Sequence, residues 1–465
     1  MIPVVTPEEM RAIDAAAPEP VEVLIERAGA ATFRAALRVL GGRAYGRRVL
    51  VVAGKGNNGN DGRSAARRLA RRGVRVAVVA PGQRPPSLAG CDLVIDAAFG
   101  TGLRGGWRPP EVGGVPVLAV DIPSGVDGLT GAVPEGALAA AATVTFAALK
   151  PGLLLAPGRW LAGPVEVADI GLDCRRARAW LVGPADVAAW VPDRAVDAHK
   201  WRAAVWVLAG SPSMPGASHL AVRAALRAGA GYVRLSSPGL DRSPGAPTEA
   251  VYHPLPAHGR GWAAAAAAEA DRFGAAVLGP GLGRSEAGDE EIRSAVQALP
   301  VPLVVDGDGL SALGGSAAAV LARRRAATVL TPHDGEFERL SGSRPGQDRF
   351  DDVRRLAAAT GAVVLLKGPT TLVADPAGRV GVCTAGDARL ATAGSGDVLS
   401  GVIGALLAQG LDPWRAALAG AEVHGQAGAR GPARGLVAGD LVDQLPEVWR
   451  RLAAAGGRHA GWDGR

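Results

Sequence analysis

At 465 residues, with 48% hydrophobic and 20% charged residues, the chain has room for two or three domains and the composition of a globular protein, not a disordered or fibrous one. Its formal charge of +7 comes from basic residues spread along amphipathic stretches such as RRLARR rather than gathered with aromatics, which argues against a nucleic-acid partner. No apolar run approaches the roughly 20 residues of a membrane span and MIPVVTPEEM lacks the basic and apolar regions of a signal peptide, so a cytoplasmic protein without a membrane partner is expected.

In chain order, EEMRAIDAAA and PVEVLIERAGAATFRAALRVL read as helices leading into a sheet. From residue 49, short β-branched runs alternate with helical periodicity: VLVVA, SAARRLARR, VRVAVVA, LVIDAAFG, VPVLAVDIPSG and ATVTFAALK. Strands spaced by helices in this way predict βαβ units and a parallel sheet covered on both faces. The segment LDCRRARAWLVGPADVAAWVPDRAVDAHKW breaks the rhythm, and the domain boundary is placed there, giving domains 1–192 and 193–465. A second α/β series follows: AVWVLAG, ASHLAVRAALRAGAG, YVRLSS, AAVLGPGLG, VPLVVDGDG, AATVLTPHDGE, AVVLLKGP and a long helical tail. The alanine run at 263–268 reads as helix surface filler. Cys91, Cys174 and Cys383 lack metal-ligand spacing and read as ordinary thiols in a reducing compartment. A homo-oligomer is expected. Only four lysines occur, Lys55, Lys150, Lys200 and Lys367, while arginine fills nearly every other basic position. The surviving ammonium groups are therefore candidates for work that a guanidinium cannot do.

Open parallel sheets bind ligands beyond the carboxyl ends of their strands, so the strand-ending loops carry the chemistry. GKGNNGNDG, residues 54–62, ends one strand. Gly54, Gly56, Gly59 and Gly62 allow positive φ and close backbone approach, and Asn57, Asn58 and Asn60 tolerate left-handed backbone and present amide oxygens. Asp61 is expected at the start of the next helix, capping free amides. A well-capped turn is the plain reading of this stretch alone, and it is not a phosphate loop, having no GKS or GKT; oxygen donors beside a carboxylate suit a hard cation. IDAAFGTGLRGG adds Asp96, Gly100, Thr101, Gly102 and Gly105, and AVDIPSGVDGLTG adds Asp121 and Ser124. Each Asp alone reads as a turn cap, but three such loops on consecutive strands would meet in one crevice.

NNGxDG, DAxFGTG, DIPSGVDGxTG and TFxxxKPG, in this order, resemble the N-terminal epimerase module of the bifunctional NAD(P)H-hydrate repair enzymes. The resemblance spans most of residues 1–175 and implies a Rossmann-like domain that interconverts the R and S epimers of the hydrated cofactors NADHX and NADPHX. It further implies that Asn58, Asp96 and Ser124 hold a potassium ion, and that Asn57, Asn58, Gly59, Asn60 and Asp61 with Gly100, Thr101, Gly102, Leu103, Arg104, Gly105 and Gly106 contact the nucleotide. Asp121 would be the acid/base at the hydrated ring. The family usually has Gly where this chain has Asn60, the residue next best suited to left-handed backbone.

In the second domain, LATAGSGDVLSGVIGALLAQG places Gly394, Gly396 and Asp397 before an apolar helix, where backbone amides make an anion site and a carboxylate can act as base; a simple helix cap is the alternative. LKGPTTLVAD ends a strand with Lys367, suited to phosphate, before a hairpin, and TPHDGEFERL offers His333 and Glu336. With HKW, AGSPSMPGA, RAALRAGAG and GPGLG, these motifs resemble the ADP-dependent (S)-NAD(P)H-hydrate dehydratases of the ribokinase-like superfamily, over residues 199 to about 427. The resemblance implies substrate contacts from Ala217, Gly283, His333 and Asp397. It implies nucleotide contacts from Lys367, Gly368, Pro369, Thr370, Thr371 and Gly396, with Mg2+ bridging the phosphates. Asp397 would deprotonate the ring hydroxyl that ADP phosphorylates. Trp201 and Arg202 stand where the family usually has glycines, which puts that local loop in question. Because the GxGD loop marks the whole superfamily, a small-molecule kinase with an added nucleotide-binding module is the rival reading.

Overall fold

The structure, a computed structural model, describes residues 1–83, 87–102 and 107–455. They divide into two compact units, one from Ile2 to Trp180 and one from Leu181 onward.

The first unit is built on a parallel sheet of β1 (Arg48–Ala53), β2 (Arg75–Val79), β3 (Leu93–Ala97), β4 (Val117–Val120), β5 (Ala142–Phe146) and β6 (Val165–Ala168), in the spatial order β2-β1-β3-β4-β5-β6. Helices α1 (Pro7–Ala15), α2 (Val21–Val39) and α3 (Asn57–Ala70) complete the part that forms the site. A capping box starts α1, Thr6 accepting from the Glu9 amide and Glu9 from the Thr6 amide. The apolar run of β1 is buried on both faces. Val49 and Val51 pack with Ala28, Ala35 and Leu69 from α2 and α3, while Leu50 and Val52 pack with Val94, Trp107 and Val117 on the other side.

The second unit contains, in spatial order, β15-β14-β13-β12-β11-β10-β7-β8-β9. These are β7 (Ala204–Leu208), β8 (Tyr232–Ser236), β9 (Val251–Tyr252), β10 (Ala275–Leu278), β11 (Leu303–Val305), β12 (Thr328–Leu330), β13 (Val363–Leu366), β14 (Thr371–Ala374) and β15 (Val380–Cys383). All neighbours are parallel except the β13–β14 and β14–β15 pairs, so LKGPTT forms the expected hairpin. The helices that bear on the site are α4 (Pro215–Arg227), α5 (Asp334–Ser341), α6 (Ser395–Ala408) and α7 (Pro413–Arg430). The alanine run differs from expectation. It lies within the helix Trp262–Ala267, where Ala263 and Ala266 are buried beside a fully buried Trp262, so small side chains there allow close packing as well as fill surface.

Candidate functional site

All three of the first unit's expected loops leave consecutive neighbouring strands at the carboxyl end of the sheet: Val52 of β1 lies opposite Asp96 of β3, and Asp96 opposite Ala119 of β4, just before Asp121. Chain order reverses across β1, with β2 on one side and β3 on the other, which is the switch-point geometry that opens a crevice.

GKGNNGNDG is not the left-handed turn its glycines suggest. No residue from 54 to 62 has positive φ; the chain enters α3 at Asn57, with Gly56 as its cap. The glycines are needed for close approach instead. A Cβ on Gly54 would lie 1.9 Å from the Ala98 carbonyl, and one on Gly59 would lie 1.9 Å from the Gly54 carbonyl. Asn60 is therefore helical, its amide oxygen 3.5 Å from Arg63. Asp61 lies a turn inside α3 and does not cap it.

Together these segments line a cavity of about 760 Å³ that includes Asn57, Asn58, Asp61, Gly100, Thr101, Gly102, Asp121 and Lys150. Leu103, Arg104, Gly105 and Gly106 lie outside the described residues. Asn58 and Asp121 converge on Gly100: a Cβ there would lie 3.6 Å from Asn58 and 3.3 Å from Asp121 Oδ2. Asp121 adopts φ +68°, a conformation costly for a non-glycine residue and concentrated at functional sites. Its Oδ1 accepts from Lys150 Nζ at 2.5 Å and Thr145 Oγ1 at 3.0 Å. Lys150 is 1% exposed, and its other donors reach Thr145 Oγ1 at 2.8 Å and the Phe146 carbonyl at 3.1 Å. A single tetrahedral nitrogen thus fixes three oxygens, a pattern that a planar guanidinium cannot reproduce.

The three proposed cation ligands differ in how they are engaged. Both amide atoms of Asn58 are buried with no hydrogen-bond partner among the described residues. Asp96 is fully buried and accepts from the Ser124 amide at 2.8 Å, the Ser124 hydroxyl at 2.6 Å and the Ala98 amide at 3.3 Å. Burial raises its pKa against those donors. Ser124 Oγ also accepts from the Phe99 amide at 2.9 Å, so it ties the β3 and β4 loops together. Removing that hydroxyl leaves a buried carboxylate one donor short, and Ser124→Ala should lower the stability of the first unit by about 1–3 kcal/mol in chemical denaturation. An unchanged midpoint would show that the tie contributes nothing.

Asp61 is buried, and its pKa is pushed up to about 8, chiefly by burial and then by the charges of Asp121 and Asp14, with Lys150 opposing. Sequence reasoning singled out Lys150 as a scarce lysine and as part of the TFxxxKPG motif, without a role, and did not find Asp14. Lysine scarcity was the available signal for the first; nothing in the sequence marks the second.

In the second unit, Asp306 follows β11 and is buried. Its Oδ1 accepts from Lys367 Nζ at 3.0 Å and its Oδ2 from Ser400 Oγ at 2.6 Å. Burial alone would raise its pKa, but the Lys367 ammonium and the Ser400 hydroxyl overcome that and hold it low. Lys367 also lies 3.6 Å from the buried Glu336. Gly396 sits over this pair, a Cβ there falling 3.5 Å from both Asp306 Oδ2 and Lys367 Nζ. Helix α6 starts from Gly394 in left-handed backbone at φ +86°, with Asp397 in its first turn. Burial, then the charge of Asp306, pushes Asp397 up to about 7. Gly283 donates its amide to Asp308 at 2.9 Å, and Asp308 is among the charges that act on Asp397. His333 caps α5: its Nδ1 accepts the Gly335 and Glu336 amides at 3.0 and 3.3 Å, and its own amide donates to Glu336. A ring nitrogen that accepts two amides is unprotonated, leaving Nε2 as the donor. Ala217 lies on α4 against Gly281, a Cβ on that glycine falling 2.8 Å away. Gly368 adjoins Arg349, whose guanidinium nitrogen would be 3.4 Å from a Cβ there. Pro369 and Thr370 form the turn into β14, which Thr371 opens, and Thr370 is buried. Asp306 and Ser400 had not been assigned roles from the sequence. The unusual Trp201 packs on Tyr232 at 4.3 Å between centroids and under Arg272 at 4.0 Å, so the altered segment is held by aromatic contacts.

Residues 205–449 match the family described as NAD(P)H-hydrate dehydratase, and residues 21–89 and 81–152 match the family described as YjeF-related protein N-terminus. The bifunctional NAD(P)H-hydrate repair enzyme Nnr of Mycobacterium tuberculosis is 41% identical over 403 residues, covering 81% of this chain and 82% of its own. The chain belongs to the bifunctional NAD(P)H-hydrate repair enzymes. The Moorella thermoacetica repair enzyme is 36% identical over 518 residues, covering 96% of this chain and 97% of its own, so the likeness to this family extends across both domains. A ribokinase-like superfamily protein from Enterococcus faecalis, 20% identical with a TM-score of 0.50 over 59% of this chain and 96% of its own, shares the fold of the dehydratase half. The chain is thus an enzyme of the repair family with an α/β epimerase-type domain and a ribokinase-like dehydratase domain, and the kinase alternative is not favoured.

Proposed function

We propose that residues 1–192 interconvert the R and S epimers of NADHX and NADPHX, and that residues 193–465 dehydrate the S form at the expense of ADP, yielding NADH or NADPH, AMP and phosphate. What carries this reading is the coexistence in one chain of a cavity built around a lysine-held Asp121 and a helix N-terminus that presents Asp397 beside Lys367. In the first site Asp121 exchanges a proton with the hydrated ring, while residues 57–61 and 100–102 contact the nucleotide, the further contacts at 103–106 lying outside the described residues. Asn58, Asp96 and Ser124 would hold K+; the unpartnered amide oxygen of Asn58 and an all-oxygen donor set suit a hard monovalent cation. When bound, K+ supplies positive charge beside the reacting ring.

In the second site Asp397 takes the proton of the ring hydroxyl, which attacks the terminal phosphoryl group of the nucleotide; the resulting ester eliminates phosphate and restores the nicotinamide. The amides of Gly394 to Gly396 stabilise the transferring group and Lys367 neutralises it, with Gly368, Pro369, Thr370 and Thr371 completing the nucleotide contacts. Ala217, Gly283 and His333 hold the substrate. No group of three or more acidic, His or Cys ligands exists among the described residues. That fits Mg2+ held mainly by phosphates and water with one or two carboxylates, where it neutralises phosphate charge. No helix among the described residues is long and apolar enough to cross a membrane; a cytoplasmic homo-oligomer completes the reading.

The test is incubation with mixed NADHX epimers, with and without ADP or ATP and K+. Full conversion to NADH with ADP, and an arrest near half conversion when Asp121 is replaced, are expected. A stable phosphorylated acceptor in place of NADH would overturn the reading.

A further inference from the structure

A hydrated nicotinamide carries its hydroxyl on the ring carbon bonded to the ring nitrogen, a carbinolamine. Inverting that carbon by ring opening needs two proton movements: a base takes the hydroxyl proton as the carbon–nitrogen bond breaks, and an acid protonates the departing nitrogen. One carboxylate cannot supply both at once. Beside Asp121, the cavity of the first unit is lined by the carboxyl groups of Asp14, Glu19 and Asp61, and the surroundings of Asp61 differ from those of Asp121. Asp121 is clamped by the Lys150 ammonium and the Thr145 hydroxyl. Asp61 projects from α3 into the same cavity, is 6% exposed, and accepts no hydrogen bond or ion pair among the described residues. Among the described residues, the other charged groups lining that cavity are Asp14, Glu19, Lys55, Asp121 and Lys150; burial, then the charges of Asp121 and Asp14, favour the neutral form of Asp61 against the opposing Lys150.

We propose that Asp61 is the proton donor of the epimerisation, partner to Asp121 as base. The inference rests on the epimerase reading above. Asp121 takes the hydroxyl proton and the ring carbon becomes an aldehyde; the carbon–nitrogen electron pair goes to nitrogen, which receives the Asp61 proton. After rotation about the adjacent carbon–carbon bond, nitrogen attacks the opposite face of the aldehyde. Its proton returns to Asp61, and the oxygen recovers its proton from Asp121. No atom or electron is gained or lost over the cycle. Two carboxyls in one pocket, one clamped by an ammonium and one buried without a hydrogen-bond partner among the described residues, have the differing surroundings by which such acid/base roles are divided.

The pH profile of R-to-S conversion in the full-length protein tests this. For the wild type, kcat should fall on the alkaline side with a midpoint near 8, the value to which burial and its acidic neighbours push Asp61. Asp61→Asn keeps size and polarity but cannot donate a carboxyl proton. It should lower kcat about a hundredfold, leave KM within about threefold, and abolish the alkaline fall. Asp61→Glu, which restores a titrating group, should regain part of the rate and an alkaline limb. An Asp61→Asn enzyme with wild-type kcat, or one that keeps the same alkaline limb, would overturn the assignment. So would a wild-type profile that stays flat through pH 9, whether or not the variants fold. If Asp121→Asn is inactive while Asp61→Asn is not, the donor assignment fails and the epimerase reading stands; if the wild type does not epimerise at all, that reading fails.

Discussion

Asparagine at position 397 is expected to cut NADH recovery from S-NADHX and ADP about a thousandfold, with R-to-S conversion by the same polypeptide unaffected. The amide preserves the shape of the α6 start and the left-handed Gly394 before it, so nucleotide binding should survive; only the proton acceptor is lost. The wild-type pH profile adds an independent check. Burial and the neighbouring Asp306 carboxylate raise Asp397 to about 7. A base works only when ionised, so activity should be full above that value and fall about tenfold for each pH unit below it. Dehydration that persists at full rate at pH 5, or an Asp397→Asn variant within threefold of wild type, would remove Asp397 from the proton transfer.

The second large effect is expected at Lys150. Its ammonium is all but inaccessible and all three of its donors are used, one on Asp121 at 2.5 Å. Lys150→Met would leave a carboxylate in that cavity without its countercharge, and removing one partner of a buried pair typically costs about 3–5 kcal/mol. Because the Asp121 side chain is 16% exposed to the cavity, the lower end of that range applies. Epimerisation should fall with it, since Asp121 loses the donor that orients it. Lys150→Arg should fail to restore either property, because a planar fork cannot aim three hydrogens from one nitrogen at Asp121, Thr145 and the Phe146 carbonyl. Adding Asp121→Asn to Lys150→Met should recover part of the lost stability, as the uncompensated charge is then gone. Strict additivity of the two single losses would deny the coupling.

The strands β1 to β5 are written in local patterns, and so are helix α3 and the hairpin after Lys367; the helices expected between the later strands are absent among the described residues, where β2 to β5 are joined without a helix. Hydrophobic period and turn chemistry act over a few residues and need no partner. The loops that carry Asn58, Asp96, Asp121 and Asp397 were legible for the same reason: glycine and carboxylate punctuation marks strand ends. The scarcity of lysine even pointed to Lys150 and Lys367. What those ammonium groups hold was not legible. Lys150 finds Asp121 29 positions away, Lys367 finds Asp306 61 positions away, and Ser400 meets the same carboxylate from 94 positions away. Such pairings are set by how the strands and helices pack in space, and spacing along the chain does not encode them.

The stretch GKGNNGNDG shows the division most sharply. Composition alone favours a left-handed turn there, yet tertiary packing pulls the segment into α3, because its glycines let the backbone sit against the Ala98 carbonyl and the Gly54 carbonyl. Once the helix starts at Asn57, its period turns Asp61 from a supposed cap into a buried carboxyl facing Asp121's cavity. The sequence by itself determined that two parallel α/β domains would gather polar loops at their strand ends. Only the tertiary structure decided which groups are buried, which are paired and which carboxyls are pushed toward their neutral form, because burial and through-space charge shift protonation, and both exist only after the chain has folded.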